Sequence, residues 1–330
     1  MIFFYGSPFG ENGPAQVNRA YVKCLPSKVL RIKSNNRFVA RLEILAKILV
    51  SRVIIISALG FKTYETALAK TLGKKIIYIM HGLASDDGPL QRRLEADILP
   101  RANLILCVSS IFCKLARKKL PEYADKIDVL TNGIDWDELP DSTLVDDSLR
   151  KNNEIILVGG GRPIKRNLNI CRAVEILNNE GQNYHISVFG DTPSQEDTYS
   201  ISEFPFVNCY GLIPHKTLME MYQQACLFIQ VSESEPFGLA VIEALSCRCN
   251  ILISANVGAN EVFHPLPQEV VDIPADIEEI KTKLQWVINN PNRDRLLGNI
   301  NRKSTSVTTS VIKLLRYVEK LCISSSNTIF

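Results

Sequence analysis

Two glutamates eight residues apart, Glu235 and Glu243, flank the turn Pro236-Phe237-Gly238. The turn follows the apolar run Cys226–Val231, which predicts a buried strand, and opens the apolar run Leu239–Leu245, which predicts a helix. A helix N-terminus carries unsatisfied N–H groups and partial positive charge, a natural seat for phosphate. Carboxylates on either side of it suit hydroxyl groups, so the segment predicts a grip for a phosphorylated sugar. Hydrolysis by the pair fits less well. Eight helical residues span about 12 Å along the axis, against roughly 5–9.5 Å between the carboxyl groups of glycoside hydrolases. Two carboxylates holding different hydroxyls of one elongated ligand match the spacing better.

A second cluster, Gly159-Gly160-Gly161-Arg162-Pro163-Ile164-Lys165-Arg166, follows a predicted strand over Glu154–Val158. Its glycines let backbone approach an anion, Arg162 offers a bidentate fork and Lys165 a mobile point charge. It lacks the patterns of a phosphate-binding hydrolase loop and of a dinucleotide fingerprint. A further small-residue loop, Gly6–Pro14, which includes Gly13, leads from the first strand into a helix and would bring backbone into the cleft from the opposite domain. His81 stands at the carboxyl end of the strand Ile76–Met80, where parallel sheets bind ligands, and an imidazole there can donate to a phosphate or a sugar hydroxyl. His185, His215 and His264 have no such placement and read as structural or exposed. The triplet Asp135-Trp136-Asp137 could in principle hold a divalent cation, but it lies at a connection after Asn132-Gly133-Ile134 and no metal site is expected there. Cys247-Arg248-Cys249 has no partner ligands at zinc spacing.

The elements that must position these groups alternate. In the front half, short apolar runs at residues 2–5, 29–32, 53–57, 76–80, 104–108 and 127–130 are separated by helical patterns, which predicts βαβ units and a parallel sheet. A polar, acidic stretch over residues 136–153 reads as a connection, after which the alternation restarts. The expectation is an α/β chain of two Rossmann-like doubly wound domains facing a central cleft: residues 1–135, a linker over 136–153, a second domain over 154–310, and an amphipathic helix and polar tail over 311–330. Residues 1–135 hold 21 of the 38 Lys and Arg but 11 of the 35 Asp and Glu, a net +10 against −7 for the remainder. A basic front half predicts contact with an anionic surface, and lipid headgroups fit better than nucleic acid, because no nucleic-acid motif accompanies the charge. The longest apolar region, Phe38–Leu59, is broken by Arg41, Glu43, Lys47 and Arg52, so no membrane span is expected, and no signal peptide is visible. The nine cysteines are scattered and odd in number, which predicts reduced thiols and a cytoplasmic setting, peripheral on the inner face of the membrane.

Over residues 127–262 the chain resembles the retaining GT-B glycosyltransferases of glycosyltransferase family 4. The resemblance rests on Glu235-x7-Glu243 with its Pro-Phe-Gly-Leu centre, on Glu243-Ala-Leu-Ser-Cys and the following strand, on Val257-Gly-Ala-Asn-Glu261, on Asn132-Gly-Ile-Asp135, on Val158–Lys165 and on His81-Gly82. It implies that the second domain binds a nucleoside-diphosphate sugar as co-substrate, with no metal or other cofactor, and that the first binds a glycan or lipid-linked acceptor for surface polysaccharide or lipopolysaccharide synthesis. Arg162 and Lys165 would hold the diphosphate and Glu243 the ribose. Glu235, with the amides of Phe237, Gly238 and Leu239, would contact donor sugar and phosphate, while His81 and the Gly13 loop would reach in from the acceptor side. The pattern departs from the family where Arg162 and Lys165 stand unusually close, which leaves Arg166 as a substitute cation, and where Arg248 and Asn250 replace the usual glycine and proline. Two other readings use the same residues: a sugar-nucleotide epimerase, which needs no acceptor, and a non-catalytic nucleotide-sugar-binding protein, which turns nothing over.

Overall fold

The computed structural model describes residues 1–6, 13–34, 36–83, 89–190 and 201–323. Most of the Gly6–Pro14 loop, residues 7–12, and the tail beyond Ile323 lie outside the described residues. The chain divides into two compact units. One runs from Met1 to Asp135 and regains the chain from Arg302; the other is Trp136–Asn301.

The first unit is built on strands β1 (Ile2–Tyr5), β2 (Val53–Ile56), β3 (Lys75–Met80), β4 (Leu104–Cys107) and β5 (Ile127–Val129), paired in that order and all parallel. Helices α1 (Gly13–Cys24), α2 (Arg37–Val50), α3 (Thr63–Thr71), α4 (Pro89–Ile98) and α5 (Ser110–Lys119) connect them. Helices on both faces bury both sides of the sheet, which is why β2 reads Val-Ile-Ile-Ile without alternation and is buried at every position. Asn36 starts α2 by accepting the amides of Phe38 at 2.9 Å and Val39 at 3.2 Å. The predicted strand over 29–32 is reduced to a single bridge, Leu30 beside Phe3. Beyond it the Arg31 guanidinium turns back onto the Leu25 and Pro26 carbonyls. The chain thus leaves β1 to one side and then crosses to β2 on the other, a reversal that lies at the carboxyl ends of β1 and β2.

The second unit holds β6 (Lys151–Val158), α6 (Asn167–Asn179), β7 (His185–Phe189), β8 (Val207–Gly211), α7 (His215–Gln224), β9 (Ala225–Gln230), α8 (Leu239–Ser246), β10 (Asn250–Ser254), α9 (Asn260–Phe263), β11 (Val270–Val271), α10 (Ile277–Asn289) and α11 (Arg293–Asn299). Its parallel sheet runs β11-β10-β9-β6-β7-β8, the doubly wound order in which the first and fourth strands of the unit are neighbours. The switch point is therefore the gap between the carboxyl ends of β6 and β9.

The opening segment of the first unit ends at Asp135, as expected, but the start and the end of the second unit both move. The stretch over 136–153 is part of the second unit rather than a free connection. Asp147 is shared by the guanidinium groups of Arg150 at 2.9 Å, Arg293 at 2.9 Å and Arg248 at 3.3 Å, and β6 already begins at Lys151. The return to the first unit comes at Arg302, ahead of residue 311. Ile134 donates to the Thr305 carbonyl at 2.9 Å and Val307 to that of Ile134 at 3.0 Å. From there α12 (Val307–Ile323) buries Val307, Val311, Leu314 and Val318, a helical stripe, while Tyr317 donates to the Val129 carbonyl at 3.1 Å.

Candidate functional site

In the second unit the two predicted clusters meet across the switch point. The loop after β6 and the turn after β9 are joined by two ion pairs, Lys165 with Glu235 and Arg166 with Glu233. A backbone bond adds to them, Glu233 N to the Ile164 carbonyl at 2.9 Å. Lys165 is 9% exposed. Its ammonium lies on Oε2 of Glu235, which also accepts from Nε2 of Gln230 at 2.5 Å. Gln230 and Lys165 together fix the carboxylate and leave Oε1 as its open oxygen.

The glycines do a different job from the one their sequence suggests. The amides of Gly159 and Gly160 both point at the Phe189 carbonyl, at 2.7 and 2.9 Å, so they tie the β6 loop to the end of β7 rather than facing an anion. Arg162 is exposed, and its Nε donates to the Gly159 carbonyl at 3.2 Å. It is the cation of this loop that no carboxylate occupies among the described residues. Arg166, at φ +54°, is committed to Glu233.

The turn into α8 explains its own sequence. Gly238 sits at φ +95°, and a Cβ there would lie 3.1 Å from Val257 and 3.3 Å from Glu235, so glycine alone fits. Phe237 is buried and its carbonyl accepts from Ala259 at 2.6 Å, which fastens the turn to the Val257–Glu261 loop. The first helix-type bond is Val241 N to the Gly238 carbonyl at 3.1 Å, so the amides of Phe237, Gly238 and Leu239 precede the intrahelical ladder. Glu243, one turn further, is 7% exposed and meets Nε2 of His215 at 3.0 Å. His215 was not expected at the site. It is the first residue of α7, 28 positions before Glu243, and only the packing of α7 on α8 joins them.

In the first unit, His81 is joined to Ser57 at the end of β2 and to Asn18 on α1. Nδ2 of Asn18 donates to the Ser57 carbonyl at 3.1 Å, which leaves Oδ1 to accept the Ser57 hydroxyl at 2.7 Å. The hydroxyl proton is thereby spent. The 2.8 Å contact between Ser57 Oγ and His81 Nε2 must then be donated by the imidazole, leaving Nδ1 as the ring acceptor. Burial pushes the His81 pKa down from 6.5 to about 4. The ring is neutral at ordinary pH, and with its one N–H engaged by Ser57 it presents Nδ1 as an acceptor, where its place in the sequence suggests a donor. Because the folded-state value is depressed, the unfolded chain binds more protons between pH 6.5 and 4. The stability that neutral His81 contributes is complete above about 6.5 and is lost as pH falls through about 4. Denaturant melts across that window should fall less steeply for His81→Asn than for the unaltered chain. Asp135 of the D-x-D triplet is taken by Lys23 at 3.0 Å, and Gly13 begins α1.

Residues 145–304 match the family model described as glycosyl transferases group 1, a span that covers nearly all of the second unit. The phosphatidylinositol N-acetylglucosaminyltransferase GPI3 subunit of Saccharomyces cerevisiae is 24% identical over 216 residues, 61% of this chain and 46% of that protein. The sulfoquinovosyl transferase SQD2 of Arabidopsis thaliana is 24% identical over 183 residues, 52% of this chain and 36% of that protein. The chain thus spans less than half the length of the curated relatives it matches. The crystal structure of Anabaena HepE in complex with UDP superposes with a TM-score of 0.69 at 14% identity, covering 97% of this chain and 99% of that one. The fold is an α/β fold of two Rossmann-like units, the one found in GT-B glycosyltransferase structures.

Proposed function

We propose that the protein is a glycosyltransferase that moves a sugar from a nucleoside-diphosphate sugar to a hydroxyl of a lipid-linked or glycan acceptor. The observation that carries this reading is the pairing of Lys165 with Glu235 across the switch point of the unit that matches the family model, just ahead of the helix that carries buried Glu243. In this reading Arg162, which no carboxylate among the described residues occupies, and the amides of Phe237, Gly238 and Leu239 receive the diphosphate. Glu243, one oxygen held by His215, accepts the ribose hydroxyls, and the open oxygen of Glu235 accepts from the sugar. As the bond from the anomeric carbon to the phosphate oxygen breaks, charge builds on the leaving diphosphate and is met by fixed positive groups without a metal. The acceptor oxygen takes the anomeric carbon with retention, and its proton leaves with the diphosphate. His81, as a neutral acceptor, takes a hydrogen bond from a substrate hydroxyl.

The name of one relative, which acts on phosphatidylinositol, supports a lipid as acceptor, and the basic first unit supports peripheral contact with the cytoplasmic face of an anionic membrane. A role in surface polysaccharide or lipopolysaccharide assembly is consistent with both. A melting-temperature screen with nucleoside-diphosphate sugars tests the donor half, because a ligand that binds the folded state raises its stability. One donor should stabilise the protein, and Glu243→Ala should abolish most of that shift and raise KM for the donor by about 10–100-fold. No stabilisation by any donor, or a Glu243→Ala protein that transfers normally, would overturn the assignment. Inversion at the anomeric centre of the product would overturn the retaining course.

A further inference from the structure

Helix α2 turns its apolar side outward. Successive helical residues advance by about 100°, and Phe38, Leu49, Leu42, Ala46, Val39 and Val50 fall within one arc of about 120°. Five of them are large, and all five are exposed, Phe38 at 73%, Leu42 at 53% and Leu49 at 58%. No polar side chain falls in that arc. The side turned to the sheet is apolar as well, through the fully buried Ile44 and Ile48. The one acidic residue of the helix, Glu43, lies beside the arc and is paired with Lys47. A helix apolar on its core side needs no second apolar side, so the outer one has another use.

The charge around it says what that use is. Residues 28–52 carry seven Lys and Arg against Glu43 alone, and Lys33, Arg37 and Arg52 at the two ends of the helix are exposed. A symmetric contact with a second copy of this chain would set these cations against themselves. An anionic bilayer answers both features, with headgroups for the cations and the acyl boundary for the apolar arc. At 14 residues α2 is about 21 Å long, too short to cross a hydrocarbon core of about 30 Å, so it lies in the interface. Its N-terminal end is at the carboxyl edge of the sheet. Only Ser51 and Arg52 separate α2 from β2, so the two run antiparallel. Arg41 is fixed at that edge, on Glu65 at 2.8 and 2.9 Å and on the Gly60 carbonyl at 3.1 Å. His81 ends β3 at the same edge.

We propose that the outer face of α2 is the surface by which the first unit docks on an anionic lipid bilayer, laying the carboxyl edge of its sheet, with His81, close to the headgroups. The inference rests on the transferase reading only for its purpose, the delivery of a lipid acceptor; the surface itself is independent of the donor site.

Sedimentation with vesicles of phosphatidylcholine, with and without phosphatidylglycerol, tests it. The protein should bind the anionic vesicles, less so at high salt, and a Phe38→Ser, Leu42→Asp, Leu49→Ser triple variant should bind about tenfold more weakly or worse. The three side chains are exposed, so the variant should keep the parent melting temperature and the parent response to donor sugar. A Phe38→Trp protein should show blue-shifted emission on adding anionic vesicles. Equal binding by parent and triple variant, no binding to anionic vesicles, or a dimer in solution that the triple variant dissolves would each overturn the proposal. Vesicle binding without any donor response would instead count against the transferase reading alone.

Discussion

On the transferase reading, Glu235→Ala should lower sugar transfer by about 10²–10³-fold and stability by about 3 kcal/mol, whereas the double change Lys165→Met, Glu235→Leu should recover most of the stability and none of the activity. The two side chains are 10% and 17% exposed and meet across the switch point. Removing the carboxylate alone strands a buried ammonium, and that uncompensated charge is the main cost to folding. Replacing both with apolar groups of similar volume removes the charge altogether, and buried ion pairs exchanged in this way commonly lose little stability. Activity responds differently, because the open oxygen of Glu235 is gone in either protein, and the double variant lacks the charge of Lys165 as well. Urea melts and initial rates on the parent, both single variants and the double variant form a cycle that separates these roles. If the double variant regains transfer, or if Glu235→Ala melts like the parent, the pair is not the centre of the donor site.

How much of this could be read from the residues varies with the range of the interaction. The switch-point turn was legible because its chemistry is local: a strand, a glycine that tolerates φ +95°, and a helix follow one another between Ala225 and Ser246. The pairing of Lys165 with Glu235 was not, since the two are 70 positions apart and were read as serving different parts of the ligand. His215 left no signal at all, because an isolated histidine at the start of a helix says nothing about which helix it will face. The glycines of the β6 loop were legible as a close approach, but what approaches is the Phe189 carbonyl rather than a ligand. In Phe38–Leu59 the charges excluded a membrane span, and among the described residues no helix is long and apolar enough to cross a membrane. Only the structure distinguishes the buried Ile44 and Ile48 from the exposed Phe38, Leu42 and Leu49, since all five read as equally apolar.

Gly133→Ala should be among the most damaging small substitutions in the chain. The pair Asn132-Gly133 looks like a turn, and a turn glycine replaced by alanine costs roughly 1 kcal/mol or less when its backbone is ordinary. The structure gives Gly133 a different task. A Cβ built there lies 2.3 Å from the Cα of Val307, 2.8 Å from its nitrogen and 3.0 Å from the Ser306 carbonyl oxygen. All three are backbone atoms, so no side chain can swing aside, and the segment that brings α12 back must move. That movement also breaks the bond from Val307 to the Ile134 carbonyl, 3.0 Å long, and loosens the seat of Val307, Val311, Leu314 and Val318. The expected loss is about 3 kcal/mol or more, at the upper end of what overpacking costs. Gly298→Ala provides the contrast. Nothing lies within 4 Å of a Cβ there and the residue is helical, so the same change should be neutral or stabilise by about 0.5–1 kcal/mol. Denaturant melts of the two variants should therefore move in opposite directions. In Gly133→Ala, limited proteolysis should cut near residues 302–307 while the melting response of the second unit to donor sugar persists, because that unit is built without α12. Parent-like stability in Gly133→Ala would mean that α12 does not pack on the Gly133 backbone as described.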